Sequence, residues 1–301
     1  MTKTDLTVAV VVCTVPARRK QLTDCIHSIL QNTVLPEEIF VVCDDGDDLR
    51  MPESVRVIKT KAIGVSERKN SAIQLVASDI IAFTDDDCIV SSSWIKTIIK
   101  TFCANPTISG LCGPVKAYHP RENSGFICPS VFYKAKTRVF THPHIHQDIG
   151  SGNNIAFRRA SLVRLGGSKQ WLGPGTEAKS ADDAEVIIHS LSSGQTIMYR
   201  NSGNIVWHNR WLTPEEYQKQ ELEYVLADTT CYTYYAFVYS FARRRIYKRW
   251  IINGWRHGHS IKLLLKRKTS ESLNSLTYAW KETAVLTKGM ILGIFQRIRI
   301  I

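Results

Sequence analysis

The stretch Asp79-Ile80-Ile81-Ala82-Phe83-Thr84-Asp85-Asp86-Asp87 constrains this chain more than any other. Ile80 to Phe83 is wholly apolar and too short for a helix, the pattern of a strand buried on both faces. It runs straight into three carboxylates. A buried strand that ends in acids places them at the carboxyl edge of a sheet, where open α/β sheets bind ligands. Adjacent carboxylates repel, and a hard divalent cation relieves the repulsion. Mg²⁺ or Mn²⁺ held by one or two of them, with substrate phosphates completing the shell, suits such an edge. The bland alternative is a solvated acidic turn, and a lone Asp-x-Asp does not decide between the two.

The rest of the first half repeats the theme. Val8 to Cys13 is an unbroken apolar run, read as a central parallel strand. Leu22, Cys25, Ile26, Ile29 and Leu30 follow at helical spacing, the stripe of a helix lying on a sheet. Ile39 to Cys43 is a second strand and also ends in acids, Asp44-Asp45-Gly46-Asp47-Asp48. Val55 to Ile58 is a short strand and Ser66 to Ala77 a helix with Ala72, Ile73 and Val76 inward. After the acidic strand, Trp94, Ile95, Ile98, Ile99 and Phe102 mark another helix, and Thr107 to Val115 a further strand. This alternation predicts an α/β fold with a doubly wound, mostly parallel sheet flanked by helices. No G-x-G-x-x-G or Walker sequence follows the first strand, so a metal on Asp85 to Asp87 is the available means of neutralising phosphates.

Charge divides the chain. Residues 241–301 carry 14 Lys/Arg and 2 Asp/Glu, whereas the other 240 residues balance at 25 basic and 25 acidic groups. The whole excess of +12 therefore sits in the last fifth, which argues against a nucleic-acid-binding core and for a basic tail with its own partner. No apolar run is long enough to span a membrane, and Met1 to Thr7 is polar, without the apolar region of a signal peptide. None of the eight cysteines forms a Cys-x-x-Cys pair, which favours reduced thiols in a cytoplasmic protein. His142-Pro143-His144-Ile145-His146 reads as a mobile loop rather than a metal site.

Several motifs in order resemble those of the family 2 glycosyltransferases. They are Val8 to Thr14, Val41-Val42-Cys43-Asp44-Asp45-Gly46, Gly64 with Arg68-Lys69-Asn70, Ile81 to Asp87, Gly152-Asn153-Asn154, Leu172 to Thr176 with Ala181-Asp182-Asp183-Ala184-Glu185, and Val206-Trp207-His208. The first loop, Val15-Pro16-Ala17-Arg18-Arg19, departs from the Tyr-Asn of many members, and Asp182-Asp183 replaces their Glu-Asp. The resemblance implies a GT-A fold over residues 1–212, with a helical, basic region at 213–301. It implies metal-dependent, inverting transfer of a sugar from a nucleotide-diphosphate sugar, UDP-sugars being commonest, to an acceptor hydroxyl, in polysaccharide or glycolipid assembly. In that frame Thr14, Asp45, Arg68, Asp85 and Asp86 face the nucleotide, Asp87 with Asp85 and His208 holds Mn²⁺ or Mg²⁺, and Asp183 is the base, with Asp182 as its rival.

Other readings stand beside these. Asp44 and Asp45 also suit a turn ahead of Gly46, Asp182 or Asp183 a helix N-cap, and Trp171 either a sugar platform or packing. A sugar-nucleotide nucleotidyltransferase is a second enzyme class, and a basic membrane or nucleic-acid adaptor a non-enzyme one. Basic residues interleaved with Trp, Ile and Leu in the tail suit a helix on the anionic cytoplasmic leaflet, near a saccharide or lipid-linked acceptor, with no nucleic acid as partner. The competing reading of the tail is a helical cap on the catalytic domain.

Overall fold

The computed structural model describes residues 6–120, 125–265 and 269–299. The chain divides into two compact units, Met1–Trp171 with Asp182–Tyr217, and Leu172–Ala181 with Gln218–Ile301.

The first unit is built on an eight-stranded sheet. Its strands in chain order are β1 (Val8–Cys13), β2 (Glu38–Asp44), β3 (Arg56–Thr60), β4 (Ile80–Asp85), β6 (Gly110–Cys112), β8 (Arg138–Phe140), β9 (Ile155–Arg158) and β10 (Ile197–Tyr199). Across the sheet the order is β3-β2-β1-β4-β9-β6-β10-β8. β9 runs against its neighbours β4 and β6, and β8 against β10, while the other described pairings are parallel. A smaller sheet, β5 (Cys88–Val90), β11 (Val206–His208) and β7 (Val115–Ala117), lies in the order β5-β11-β7.

Side chains alternate across β1, so Val8, Val10 and Val12 enter one core and Ala9 and Val11 the other. The first core is closed by α1 (Arg19–Leu30), through Leu22, Cys25, Ile26 and Ile29, and by α3 (Trp94–Ala104), through Trp94, Ile95, Ile98 and Phe102. The second is closed by α2 (Val65–Leu75), α4 (Arg159–Leu165) and α5 (Asp182–Ser192), through Ala72, Ile73, Leu162, Val186, Ile187 and Leu191. Helices on both faces explain why these strands are apolar without alternation.

One expected strand is two. The run Thr107 to Val115 breaks at Gly113-Pro114, with β6 in the large sheet and β7 in the small one. Pro114 has no N–H for a ladder. The carbonyls of Pro114 and Asn204 both accept from the Asn154 side-chain amide, at 2.9 and 2.7 Å. The Trp94 indole donates to the Asn154 Oδ1 at 3.0 Å, so one buried amide joins α3 to the step between sheets.

The second unit contains α6 from Gln218 onward, α7 (Ser240–Leu265) and α8 (Thr269–Ile298), α6 itself being Pro214–Ala236. α7 and α8 pair antiparallel: Trp250 meets Met290, Asn253 meets Glu282, and Ser260 meets Ser275. α8 runs parallel to α6, with Tyr278 against Glu221 and Arg297 over the Tyr234 ring. The two backbones approach closely at Gly289 and Gly293. A Cβ on Gly293 would stand 2.5 Å from the Thr230 carbonyl oxygen and 2.6 Å from the Thr233 Cβ. Lys266, Arg267 and Lys268 of the basic tail lie outside the described residues, as do Ile300 and Ile301. Among the described residues no helix is long and apolar enough to cross a membrane.

Gly293→Leu is expected to force these helices apart and lower the unfolding free energy by about 1–3 kcal/mol. Denaturant titration of the second unit's transition reads this, and an unshifted midpoint contradicts the close approach.

Candidate active site

Strand register assembles the site. Cys13 of β1 lies beside Asp85 of β4 and Val42 of β2, so Thr14, Asp44 and the Asp85-Asp86-Asp87 turn share one edge of the sheet. In the smaller sheet His208 lies opposite Cys88, and the Asn209 N–H donates to the Asp87 carbonyl at 2.7 Å. These two ladders deliver His208 to Asp87 across 121 residues of chain.

The three acids have different surroundings. Asp86 is buried and accepts from the Thr14 hydroxyl at 2.8 Å and from Arg18 Nη1 at 2.8 Å. Asp87 is buried too; Arg18 donates to its Oδ2 at 3.0 Å, and His208 Nε2 lies 3.2 Å from its Oδ1. Asp85 is half-buried at the end of β4. Burial, and then the neighbouring Asp87 charge, push the Asp85 carboxyl up to about 6. Burial pushes Asp86 upward as well, against the pull of Arg18. Burial pushes Asp87 upward, but the hydrogen bond and charge of His208, together with the charges of Arg18 and Arg210, bring it below the ordinary carboxylate value.

The His208 contacts test whether a cation fits. Its Nδ1 donates to the Pro129 carbonyl at 2.7 Å, which commits that nitrogen's proton. In the neutral ring, the Nε2 lone pair then faces the Asp87 Oδ1 lone pairs at 3.2 Å. Two lone pairs so placed need a proton or a metal between them. Burial alone would pull the imidazole down, but the Asp87 hydrogen bond, with help from Cys128 and Pro129, raises it to about 10. Asp87, Cys88 and His208 bring potential ligand atoms within 4.8 Å of one another. Burial drives the Cys88 thiol well above its usual value, which leaves the Asp87 oxygen and the His208 nitrogen as the more available donor atoms. Carboxylate oxygen with imidazole nitrogen fits Mn²⁺ better than Mg²⁺.

The remaining expected residues fall around this centre. Arg68 is buried and donates to the carbonyls of Thr14 at 2.9 Å and Ala62 at 3.1 Å, and to Asp44 Oδ1. It braces the ends of β1 and β2 rather than reaching outward. Asp45 is exposed just beyond β2, its N–H held by the Thr60 carbonyl at 3.0 Å.

α5 supplies the second acidic pair. Asp182, its first residue, is tied to Lys69 Nζ at 2.7 Å. Asp183 accepts from the Gly152 N–H at 2.7 Å and the Ala184 N–H at 2.8 Å. Gly152 allows this approach, because a Cβ there would stand 2.7 Å from the Asp183 Cβ. Beside Gly152, Asn153 is buried, and neither its Oδ1 nor its Nδ2 has a hydrogen-bond partner among the described residues. In the histidine run, His144 stacks on Phe140 and pairs with Asp148 at 3.1 Å.

Arg18 and Lys69 are cations to which the sequence reading assigned no role. Arg18 stands at the end of a short turn, Pro16–Arg18, just before α1, and Lys69 follows Arg68 on α2. Arg18 lies in the loop after β1 and Lys69 in the Arg68-Lys69-Asn70 motif, and neither pattern names the acid it meets.

The family model described as Glycosyltransferase like family 2 matches residues 5–224. The chain belongs to that family. It is a glycosyltransferase on a GT-A fold. A glucosyl-dolichyl phosphate glucuronosyltransferase of Haloferax volcanii is 25% identical over 214 residues, 66% of this chain and 68% of that protein. Among solved structures, the mannosyltransferase PcManGT from Pyrobaculum calidifontis, in complex with GDP-Man and Mn²⁺, superposes with a TM-score of 0.64 at 15% identity, over 98% of this chain and 89% of that one. S. aureus TarS 1–349 gives 0.54 at 16% identity, over 97% and 89%. GalNAc-T7 with UDP, GalNAc and Mn²⁺ gives 0.54 at 15% identity; the match covers 76% of this glycosyltransferase and about half, 51%, of GalNAc-T7.

Arg18→Gln removes one of two cations from a buried carboxylate pair. With Arg18 about a third exposed, the expected loss of unfolding free energy in chelator is on the order of 2 kcal/mol. Thermal melts with chelator and with Mn²⁺ check this; Mn²⁺ should restore part of the loss, and a variant as stable as wild type in chelator contradicts the pairing.

Proposed function

We propose that this glycosyltransferase moves a sugar from a nucleotide-diphosphate sugar, a UDP-sugar first, to a hydroxyl of a lipid-phosphate-linked saccharide, with inversion at the anomeric carbon. The observation that carries the reading is the pair of facing donor atoms on Asp87 and His208, held 3.2 Å apart beside the acidic end of β4. Asp87 and His208 would hold a divalent cation, with Asp85 next to it. Such a cation, when bound, offsets the charge of the departing diphosphate. GalNAc-T7 carries Mn²⁺ with UDP and PcManGT carries Mn²⁺ with GDP-Man, which supports Mn²⁺ and leaves uridine as the first nucleotide to test.

The protein's own residues divide the remaining tasks. Asp45, exposed beyond β2, accepts from the base or ribose. Arg68 and Thr14 hold the floor on which the nucleotide lies, through the Thr14 carbonyl and Asp86. Asn153 has unspent donors and acceptors in a buried position, and a buried amide without partners costs about 1–3 kcal/mol, which sugar hydroxyls would recover. Asp183 takes the proton from the acceptor hydroxyl. Asp182 is occupied by Lys69, so Asp183 is the acid of that pair without an ion-pair partner among the described residues. Its hydrogen bond to Gly152 points it at the segment that carries Asn153. A base on the face opposite the leaving diphosphate gives inversion.

The lipid-linked acceptor rests on the Haloferax relative, whose name specifies a glucosyl-dolichyl phosphate substrate. We place the transferase at the cytoplasmic face of a membrane, as a peripheral protein, with the first unit doing the chemistry.

Donor binding and hydrolysis across a panel of nucleotide sugars, with Mn²⁺, Mg²⁺ or chelator, test this reading. Asp87→Ala and His208→Ala are expected to abolish the metal dependence of donor binding. Asp183→Asn should keep donor binding within about threefold and cut transfer by roughly a thousandfold or more. Metal-independent binding in the wild type, or an active Asp183→Asn enzyme, sinks the respective assignment.

A further inference from the structure

We propose that the outward face of α7 docks this protein on an anionic lipid surface. The inference rests on the lipid-linked acceptor for its purpose, but its geometry is independent of that reading. α7 carries seven Lys/Arg and no Asp/Glu along Ser240–Leu265. Three of these cations are consumed inside the second unit. Arg245 and Arg249 pair with Asp228 at 3.1 and 3.6 Å, and Arg256 pairs with the buried Glu282 at 2.7 Å. Arg243, Arg244, Lys248 and Lys262 are left on the exposed side, the Arg243 guanidinium donating to the Ala236 carbonyl.

Between those cations runs an apolar line. Tyr247, Ile251 and Trp255, four residues apart, are 69%, 53% and 74% exposed. They do not belong to the helical core, because α7 meets α8 through Trp250, Asn253, His257 and Ser260 on the opposite side. Tyr and Trp favour the boundary between headgroups and acyl chains, and Ile favours the acyl side. The flanking cations complement anionic headgroups. Nucleic acid would satisfy the cations but leave Ile251 without a fitting contact. A second copy meeting the same face would set cations against cations. A helix too polar to span but with such a face lies in the plane of the interface.

The test uses the full chain in chelator without donor. It is sedimented with phosphatidylcholine vesicles containing phosphatidylglycerol, and with phosphatidylcholine alone. Expected is pelleting with the anionic vesicles, weaker at high salt and weaker still on the neutral ones. A triple variant, Tyr247→Ser with Ile251→Asn and Trp255→Ser, should lose at least about tenfold in vesicle affinity. Arg244→Glu with Lys248→Glu should lose selectivity for the anionic lipid. Unchanged melting curves and donor affinities in both variants separate loss of docking from misfolding and from failure of the transferase reading. Equal pelleting of the triple variant overturns the proposal. So does a wild type that ignores vesicles but self-associates, or binds single-stranded RNA, through this face.

Discussion

Three adjacent carboxylates at the end of a buried strand cannot remain buried without positive charge, and the rest of the site follows from how that charge is supplied. Arg18 and His208 supply it from two directions, one from the turn after β1 and one from β11. Each of the three acidic motifs in the first unit answers the same demand by dividing its labour. Asp44 is tied to Arg68, Asp86 to Arg18 and Asp182 to Lys69, which stiffens the frame. Asp45, Asp85 and Asp183 have no ion pair among the described residues, whereas Asp87 is shared between Arg18 and His208.

Much of the frame was readable from periodicity. Val8 to Cys13, Ile39 to Cys43 and Ile80 to Phe83 have one meaning as short apolar runs between helical stripes, because helices on both sides demand apolar residues at every strand position. The acids were readable because each lies contiguous with its strand or helix. Their partners were not. Arg18 meets Asp86 across 68 residues and Lys69 meets Asp182 across 113, and no local pattern encodes such pairings. Thr107 to Val115 misled for a related reason. Hydrophobicity reports burial, and both β6 and Val115 are buried, but it is silent about the chain leaving one sheet for another at Gly113-Pro114.

The C-terminal charge shows the same limit from the other side. Its size could be counted, but not its destination. Asp228 and Glu282 take up Arg245, Arg249 and Arg256, so three cations counted as surface charge are structural. Glycines at 289 and 293 do complementary work, bringing α8 against the α6 backbone with no side chain between them. The helices therefore pack by small residues and buried ion pairs, and large apolar side chains are not all needed inside.

That economy lets one helix pack within its unit and keep a second face outward. On α7, Asn253, His257 and Ser260 lock the inner side to α8, and Tyr247, Ile251 and Trp255 stand outside it. A helix that merely capped a domain would gain by exchanging an exposed Trp and Ile for polar residues, since neither contributes burial where it stands. A helix that only lay on a membrane would have no use for Arg256 paired with the buried Glu282. On α7 the cations that hold the fold and the cations that face outward lie on opposite sides of the same turns.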